Sequence, residues 1–581
     1  METIKDKLLP VAGSDTFLET FHQLYRENLE KKDNFIQEIA SLHNNKLVDI
    51  VHEFNNYNDS GLNPITFCQL FGEILPFLQA DIQDVLNCIN HLILKTHSDF
   101  SSLFSKSLEK FCAMDIARCD KLLDISLASK VDDYFNLLVL AIIIGSRLQL
   151  NIYVEKAIEL LNNKNKVIIE KALISLSKIN YQSNKKLINK VFNVVKTMAT
   201  NGYNEHYPSI LKSILSLYIQ KRDFEKQTIE LCLFIFKNED ERLIQPTAEI
   251  LFETKNDLPK SIYDILLNVL FKVNPKDTLT LNYMDLILCN LLEYNREKDL
   301  YIFLEDLLIR NNNLSIKIFP LFIHKLLNNK TDILNILVTR WFLSSKIVLA
   351  KAVAEIIEDC NAEKIYLASD KIQLQGLPEG IRLFVAKKAC GWLFKNKISA
   401  VSFIVSLIDI ATDKELEAIS SLLFNPLFIC YPQNIKEYFE ELLQQEIPEK
   451  TAMVINQLLA QQESFFKNLN DNAGISELKP SLSQRAQFEQ YLSKLMNDAY
   501  KEKTGKNSIL QIFSHQTILY GNSSIFYRYK NPEGTNKTRE IMKFQEFRHS
   551  ITYPILGVLD PHTLNFNLET YRTEDCDEIN N

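Results

Sequence analysis

The sequence predicts a mainly α-helical protein: an α-solenoid of antiparallel helix pairs followed by a small C-terminal α+β module, a β-hairpin or meander led by a helix. Three observations carry this expectation. The 581 residues include only 13 Gly and 16 Pro against 46% hydrophobic residues, where average usage would give roughly three times the glycine. Apolar residues recur with helical period from residue 15 to about 467, in pairs of stretches about 36 residues apart. Beyond residue 510 the period changes from 3.6 to 2. So little glycine excludes doubly wound nucleotide-binding folds, whose loops need it where backbone approaches phosphate. It also excludes all-β folds, which need turn residues about every 8–12 positions. Collagen-like and largely disordered chains fall outside this composition as well.

Residues 1–130 are helical with uneven spacing and polar breaks, at Asn55-Asn56-Tyr57-Asn58 and around Gly61, and are expected to cap the array. The solenoid is expected over 131–467. Its first helix, near Tyr134–Gly145, is the most apolar run of the chain. It follows Asp132-Asp133 and is too short to span a bilayer, so it reads as a core helix. Further pairs begin near Val167, Tyr207, Arg242, Thr280 and Ser315. Polar breaks rich in asparagine separate them, among them Asn162-Asn163-Lys164-Asn165, Asn274-Pro275 and Asn311-Asn312-Asn313. Asparagine tolerates left-handed backbone, so it is expected to turn the chain at helix ends where glycine usually would. Each pair is too thin to bury its own apolar face, and stacking on neighbours solves this. With Pro208, Pro246 and Pro320 in first helices, the pattern resembles HEAT or armadillo repeats. It resembles tetratricopeptide repeats less, because their Trp, Gly and Tyr positions are missing. The resemblance implies a long concave surface for a protein partner. Gly376-Leu377-Pro378-Glu379-Gly380 reads as a loop between repeats, with a hinge as its alternative.

A linker is expected over 468–482, then a helix from Ser483 to about Lys503, within a module spanning 483–581. His515–Tyr520, Gly521-Asn522 and Ser523–Lys530 give a hairpin signal with a type II′ turn. That turn would set Ile518 opposite Ile525, Thr517 opposite Phe526 and His515 opposite Arg528. Asn531-Pro532-Glu533-Gly534 predicts a second turn into a strand near Glu540–Phe544, and two further extended pieces are expected at 551–558 and 564–571.

Net charge is −8, which gives the whole chain no pull toward nucleic acid. Residues 501–550 nevertheless carry a net +5, and the last 31 residues a net −5. Cations interleaved with aromatics on a small sheet suit single-stranded nucleic acid, phosphates on the cations and bases on the rings. The candidate residues are Phe526, Arg528, Lys530, Lys537, Arg539, Lys543 and Arg548. The plainer alternative is an ordinary two-faced sheet with one face packed and one solvated. Asp560 and His562, two apart on an expected strand, with His549, are weak candidates for a metal site; Pro561 and the lack of a fourth ligand weigh against it.

Other chemistry is hard to find. No phosphate-binding loop, dinucleotide fingerprint or H-E-x-x-H is present, Lys503-Thr504-Gly505-Lys506 lacks the upstream glycine, and Ser523-Ser524 sits in a turn instead of a nucleophile elbow. No catalytic residue and no cofactor are assigned. Trp341 and Trp392 lie in apolar helical runs and read as core. The ten cysteines form no C-x-x-C pair, and most lie in apolar helices, which predicts buried free thiols and a reducing compartment. A charged N-terminal stretch without an apolar segment predicts no leader, and hence a cytoplasmic protein that does not enter membranes. The expected function is a non-enzymatic interaction scaffold with protein partners on the solenoid surface. Its Asn-, Ile- and Lys-rich composition and analogy of architecture suggest a bacterial multi-protein, defence-type system. The alternatives are a nucleic-acid-binding subunit acting through residues 501–550 and an enzyme with a site around His515, His549 and Arg528.

Overall fold

The protein is described by a computed structural model covering residues 3–57, 64–96, 101–129, 134–182, 184–237, 239–255, 257–294, 296–311, 313–358, 364–475, 481–503, 523–529, 537–543 and 554–575. It is mainly helical. It divides into two compact units, Met1–Asn290 and Leu291–Asn581.

In the first unit a capping box opens the chain, with Thr3 and Asp6 closing the first helical turn on each other. Behind it lies a phenylalanine core. Phe21 sits 5.5 Å from both Phe35 and Phe54, and Phe54 lies 5.3 Å from Phe71, all fully buried. From Tyr134 to Leu270 alternate helices pack on one another. Helix Tyr134–Leu148 packs on Lys166–Lys178, which packs on Tyr207–Gln220, which packs on Ile244–Thr254. The intervening helices Leu150–Leu160, Lys185–Thr200, Glu225–Phe236 and Lys260–Leu270 form a second such series. Apolar faces that one pair cannot bury are thereby closed by the neighbouring pair.

Polar links recur along the chain with offsets of 34 to 41 residues. Ser213 Oγ donates to Leu173 O (2.9 Å), 40 residues back, and Gln220 Nε2 to Ile179 O (2.9 Å), 41 back. Lys212 pairs with Glu249 at 2.8 Å, 37 residues on. In the second unit Arg340 grips Glu305 through Nε and Nη2, 35 residues back, and Lys371 pairs with Asp409 at 2.6 Å, 38 on. Ser399 Oγ donates to Ile365 O, 34 back. The exposed pairs contribute only about 0.2–1 kcal/mol each. Their regularity is informative, because every link joins corresponding places one helix pair apart.

Helices start at or near the positions the periodicity gave: Tyr134, Lys166, Tyr207, Ile244 after a short turn, Thr278, and Pro320 after a turn capped by Ser315. The asparagines work differently from expectation. Asn165 accepts from Val167 N (2.9 Å) and Asn184 from Leu187 N (3.2 Å), so they begin helices by satisfying free N–H groups. Among the described residues the left-handed positions outside glycine belong to Lys46, Gln182, Glu239, Lys255 and Ser345. At helix C-terminal ends Asn311 and Asn328 instead donate from Nδ2 to Leu307 O and His324 O, and no described asparagine takes positive φ.

The Gly376–Gly380 cluster is a pinned loop. Gly376 and Gly380 take φ of +76° and +96°. Arg382 donates from Nη1 to Leu377 O and Pro378 O and from Nη2 to Leu374 O, while Glu415 accepts from Gly380 N at 2.7 Å. Both side chains are buried. These contacts tie the loop to helices Ile381–Leu393 and Asp413–Leu422.

Helix Glu449–Asn472 runs into the stretch expected as a linker, and helix Leu482–Lys503 follows as predicted. Strand β1 (Ser523–Tyr529) pairs antiparallel with β2 (Lys537–Lys543). This bears out the expected strand from Ser523 as far as Tyr529 and places the next one slightly earlier than expected. The proposed partner strand 515–520, its turn and its register lie outside the described residues. The two later extended pieces are overturned: 555–559 and 561–573 are helices. Asp560 accepts from Thr563 N (3.2 Å) as an N-cap and Pro561 occupies the first turn, where its fixed φ and missing N–H favour a helix start. Leu564, Leu568 and Tyr571-Arg572 then form a face of helical, not strand, spacing.

One buried histidine gives the first unit a pH signature. His206, 4% exposed in the turn before helix Tyr207–Gln220, has a buried Nε2 without a hydrogen-bond partner. Burial holds its pKa below the ordinary 6.5, against the opposing pull of Glu205 and Glu170. The unfolded chain therefore takes up a proton as pH falls through about 6.5 while the folded chain resists it. Stability is expected to fall from pH 7 toward pH 5. Paired urea titrations should show this component missing from His206→Gln; equal pH slopes in the two proteins would refute it.

Candidate functional site

Two places hold the residues that chemistry could use. The first is the strand pair. Its register sets Phe526 opposite Glu540 and Arg528 opposite Thr538, while Tyr527 faces Arg539, Tyr529 faces Lys537 and Ser523 faces Lys543. Directly opposed residues of an antiparallel pair belong to the same face of the ladder. Phe526 and Arg528 therefore do not share a face with Lys537, Arg539 and Lys543. The three β2 cations belong with the two tyrosines instead. Lys530 and Arg548 lie outside the described residues.

Of the candidate histidine cluster, only Asp560 and His562 fall among the described residues. Asp560 is engaged as a helix cap, its carboxyl held below the usual range by the Thr563 side chain and backbone N–H. His562 lies on the first turn of that helix, so the two do not align as on a strand. His515 and His549 lie outside the described residues. Among the described residues no group of three or more His, Cys, Asp or Glu could hold a metal ion. His91, three residues from Cys88, pairs through Nε2 with Tyr57 O at 2.8 Å. The eight described cysteines are free and buried. Burial pushes the Cys68 and Cys119 thiols up to about 11 and those of Cys112 and Cys232 to about 12, which keeps them protonated and unreactive.

The second place was not found from sequence. In the second unit, helix Pro561–Thr573 is seated on helix Ile381–Leu393. Lys388, 2% exposed, donates from Nζ to Arg572 O (2.7 Å) and Glu574 O (2.5 Å). These carbonyls belong to a helix end, where acceptors lack intrahelical partners and the dipole favours a cation. Lys387 pairs with Glu574 at 2.6 Å. Arg572 Nε donates to Gly391 O (2.8 Å), and its guanidinium stands 5.6 Å over the Trp392 ring. A Cβ at Gly391 would come within 3.1 Å of Arg572 Cγ and of Leu568 O, so glycine sets how closely the two helices approach. Leu564 and Leu568 fill the apolar side. The signals were present: two lysines and a glycine in the middle of an otherwise apolar helix (Phe384-Val385-Ala386-Lys387-Lys388-Ala389-Cys390-Gly391-Trp392). Only a partner almost two hundred residues away explains them.

An open groove in the first unit, about 1270 Å³, passes Phe77, Met114, Asp81 and Lys121. Its charges are largely engaged: Lys121 pairs with Asp81, and Arg118 donates to Phe111 O and Leu78 O. Among the described residues no helix is long and apolar enough to cross a membrane. No protein-family model and no curated protein sequence matches the chain, so what it does has to be argued from these surfaces.

Proposed function

We propose that the protein is an interaction scaffold: an α-solenoid of antiparallel helix pairs whose exposed surface binds protein partners, with the strand-bearing segment as a small appended α+β element. One observation carries the reading. Within each unit, buried contacts and polar links join corresponding positions one helix pair apart, as Ser213 to Leu173, Lys212 to Glu249 and Arg340 to Glu305 do. A chain that satisfies itself locally in this way leaves long helical faces for others to read. Cross-linking mass spectrometry on the full-length protein, purified with its native partners, tests this. Cross-links to partners spread over 131–467 are expected, and partner cross-links confined to 501–550 would overturn it.

The register favours one second reading, nucleic-acid contact, because it groups Tyr527 and Tyr529 with Arg539 and Lys537 on one side of the strand pair. Salt titration of the full chain on a single-stranded oligonucleotide decides it. Under this reading log K falls steeply with log salt, and Lys537→Glu with Arg539→Glu reduces the slope by about 2. Absence of binding at about 50 mM salt removes it.

A further inference from the structure

The contact between helix Pro561–Thr573 and helix Ile381–Leu393 combines high specificity with little apolar burial. Its polar side is closely matched: Lys388 on two helix-end carbonyls, Lys387 on Glu574, Arg572 on Gly391 O. Its apolar side rests on Leu564, Leu568 and the half-buried Tyr571, while Phe566 and Leu559 stand 71% and 68% exposed. The neighbouring helix Lys397–Ile408, by contrast, buries every residue except Lys397 and Ser406. Full burial of a leucine contributes roughly 1.5–3 kcal/mol. A helix of 13 residues is marginal alone in water, so docking has to offset its ordering. Two buried polar atoms of the contact, Trp392 Nε1 and Glu574 Oε2, have no hydrogen-bond partner, which weakens it further. Such a contact selects its ligand and can still release it.

We propose that the surface formed by Lys387, Lys388, Gly391 and Trp392 is a helix-accepting docking site, and that residues 561–574 are its displaceable occupant in cis. The ligand it recognises is an amphipathic helix with two leucines four apart, an arginine four beyond the second, free carbonyls at its C-terminal end and an acidic residue just past it. A partner protein presenting such a helix takes the site when the resident one leaves. This rests on the interaction-scaffold reading and adds to it the place and chemistry of one partner site.

The test uses the full chain with a site-specific protease sequence inserted between Gly505 and Lys506, cleaved after purification. The cleaved halves are expected to elute together in gel filtration. A labelled synthetic peptide of residues 554–575 in large excess is expected to exchange in and release the cleaved fragment. The same peptide with Leu568→Asp should compete about tenfold less well or worse, since it carries a charge into the apolar contact. In the body, Gly391→Val should release the fragment on cleavage without added peptide; the peptide series decides the matter if that variant does not fold. A fragment that leaves wild-type protein on cleavage, one that never exchanges with excess peptide, or equal competition by both peptides overturns the proposal. Such a failure alongside partner cross-links over 131–467 would leave the scaffold reading standing. Exchange without any such cross-link would leave the docking site and remove the scaffold.

Discussion

Replacing Glu415 by alanine is expected to destabilise the second unit by about 3–5 kcal/mol, the cost of breaking a buried ion pair from one side. Glu415 is 3% exposed, lies 3.7 Å from Arg382 Nη1, and accepts from Gly380 N (2.7 Å) and Thr412 N (2.9 Å). Its loss leaves Arg382, itself buried, without a counter-charge and unties the capping box that starts helix Asp413–Leu422. It also removes the acceptor of Gly380 N, one of the ties on the loop that Arg382 anchors at Leu374, Leu377 and Pro378. Both tryptophans, Trp341 and Trp392, belong to this unit, so urea unfolding followed by tryptophan fluorescence reads the effect. Glu415→Gln should recover part of the loss, because the amide oxygen can still accept from a backbone N–H while the charge is gone. A change below about 1 kcal/mol in the alanine variant would show that the pair carries no load.

Gly145→Ala is the second large effect, expected to cost about 2–3 kcal/mol through overpacking although alanine is the better helix former. Gly145 lies inside helix Tyr134–Leu148, and a methyl group there would overlap the ring of Tyr153 on helix Leu150–Leu160. Tyr153 cannot easily yield. It is fully buried, and its hydroxyl donates to Asp120 Oδ1 (2.7 Å), which Lys156 also holds at 2.6 Å. Urea unfolding by far-UV circular dichroism measures the loss. A double-mutant cycle with Tyr153→Leu isolates its cause, since removing the hydroxyl-bearing ring should make the alanine far less costly. Additive losses would place the cause elsewhere.

These two positions also mark what could be read from the chain. The helix starts were legible because they are local events: an N-cap side chain, a first-turn proline, an apolar stripe of period 3.6. The roughly 36-residue recurrence was legible because every pair must bury the same kind of face. Misreadings arose where a residue type serves two purposes. Asparagine was expected at left-handed helix ends, but Asn165 and Asn184 begin helices instead. Residues 551–571 read as extended because Asp560-Pro561 looks like a turn; the same pair is a helix cap once Thr563 N points at the Asp560 carboxylate. The alternation of Phe526, Arg528 and Lys530 was visible in the sequence, but only the pairing of β1 with β2 decides which positions share a face of the ladder.

By itself the sequence determined a helical chain of repeated pairs, short polar breaks, buried free thiols and a strand-forming segment near its end. Each follows from spacing within a few dozen residues and from the cost of exposing apolar surface. Tertiary structure alone decided that Lys388 could be buried, that Gly391 had to lack a side chain, and that residues 561–574 return to helix Ile381–Leu393. In sequence a lysine in an apolar helix is only a conflict. It becomes a docking residue when a distant helix end brings two unpaired carbonyls to its ammonium group, and no local period encodes that meeting.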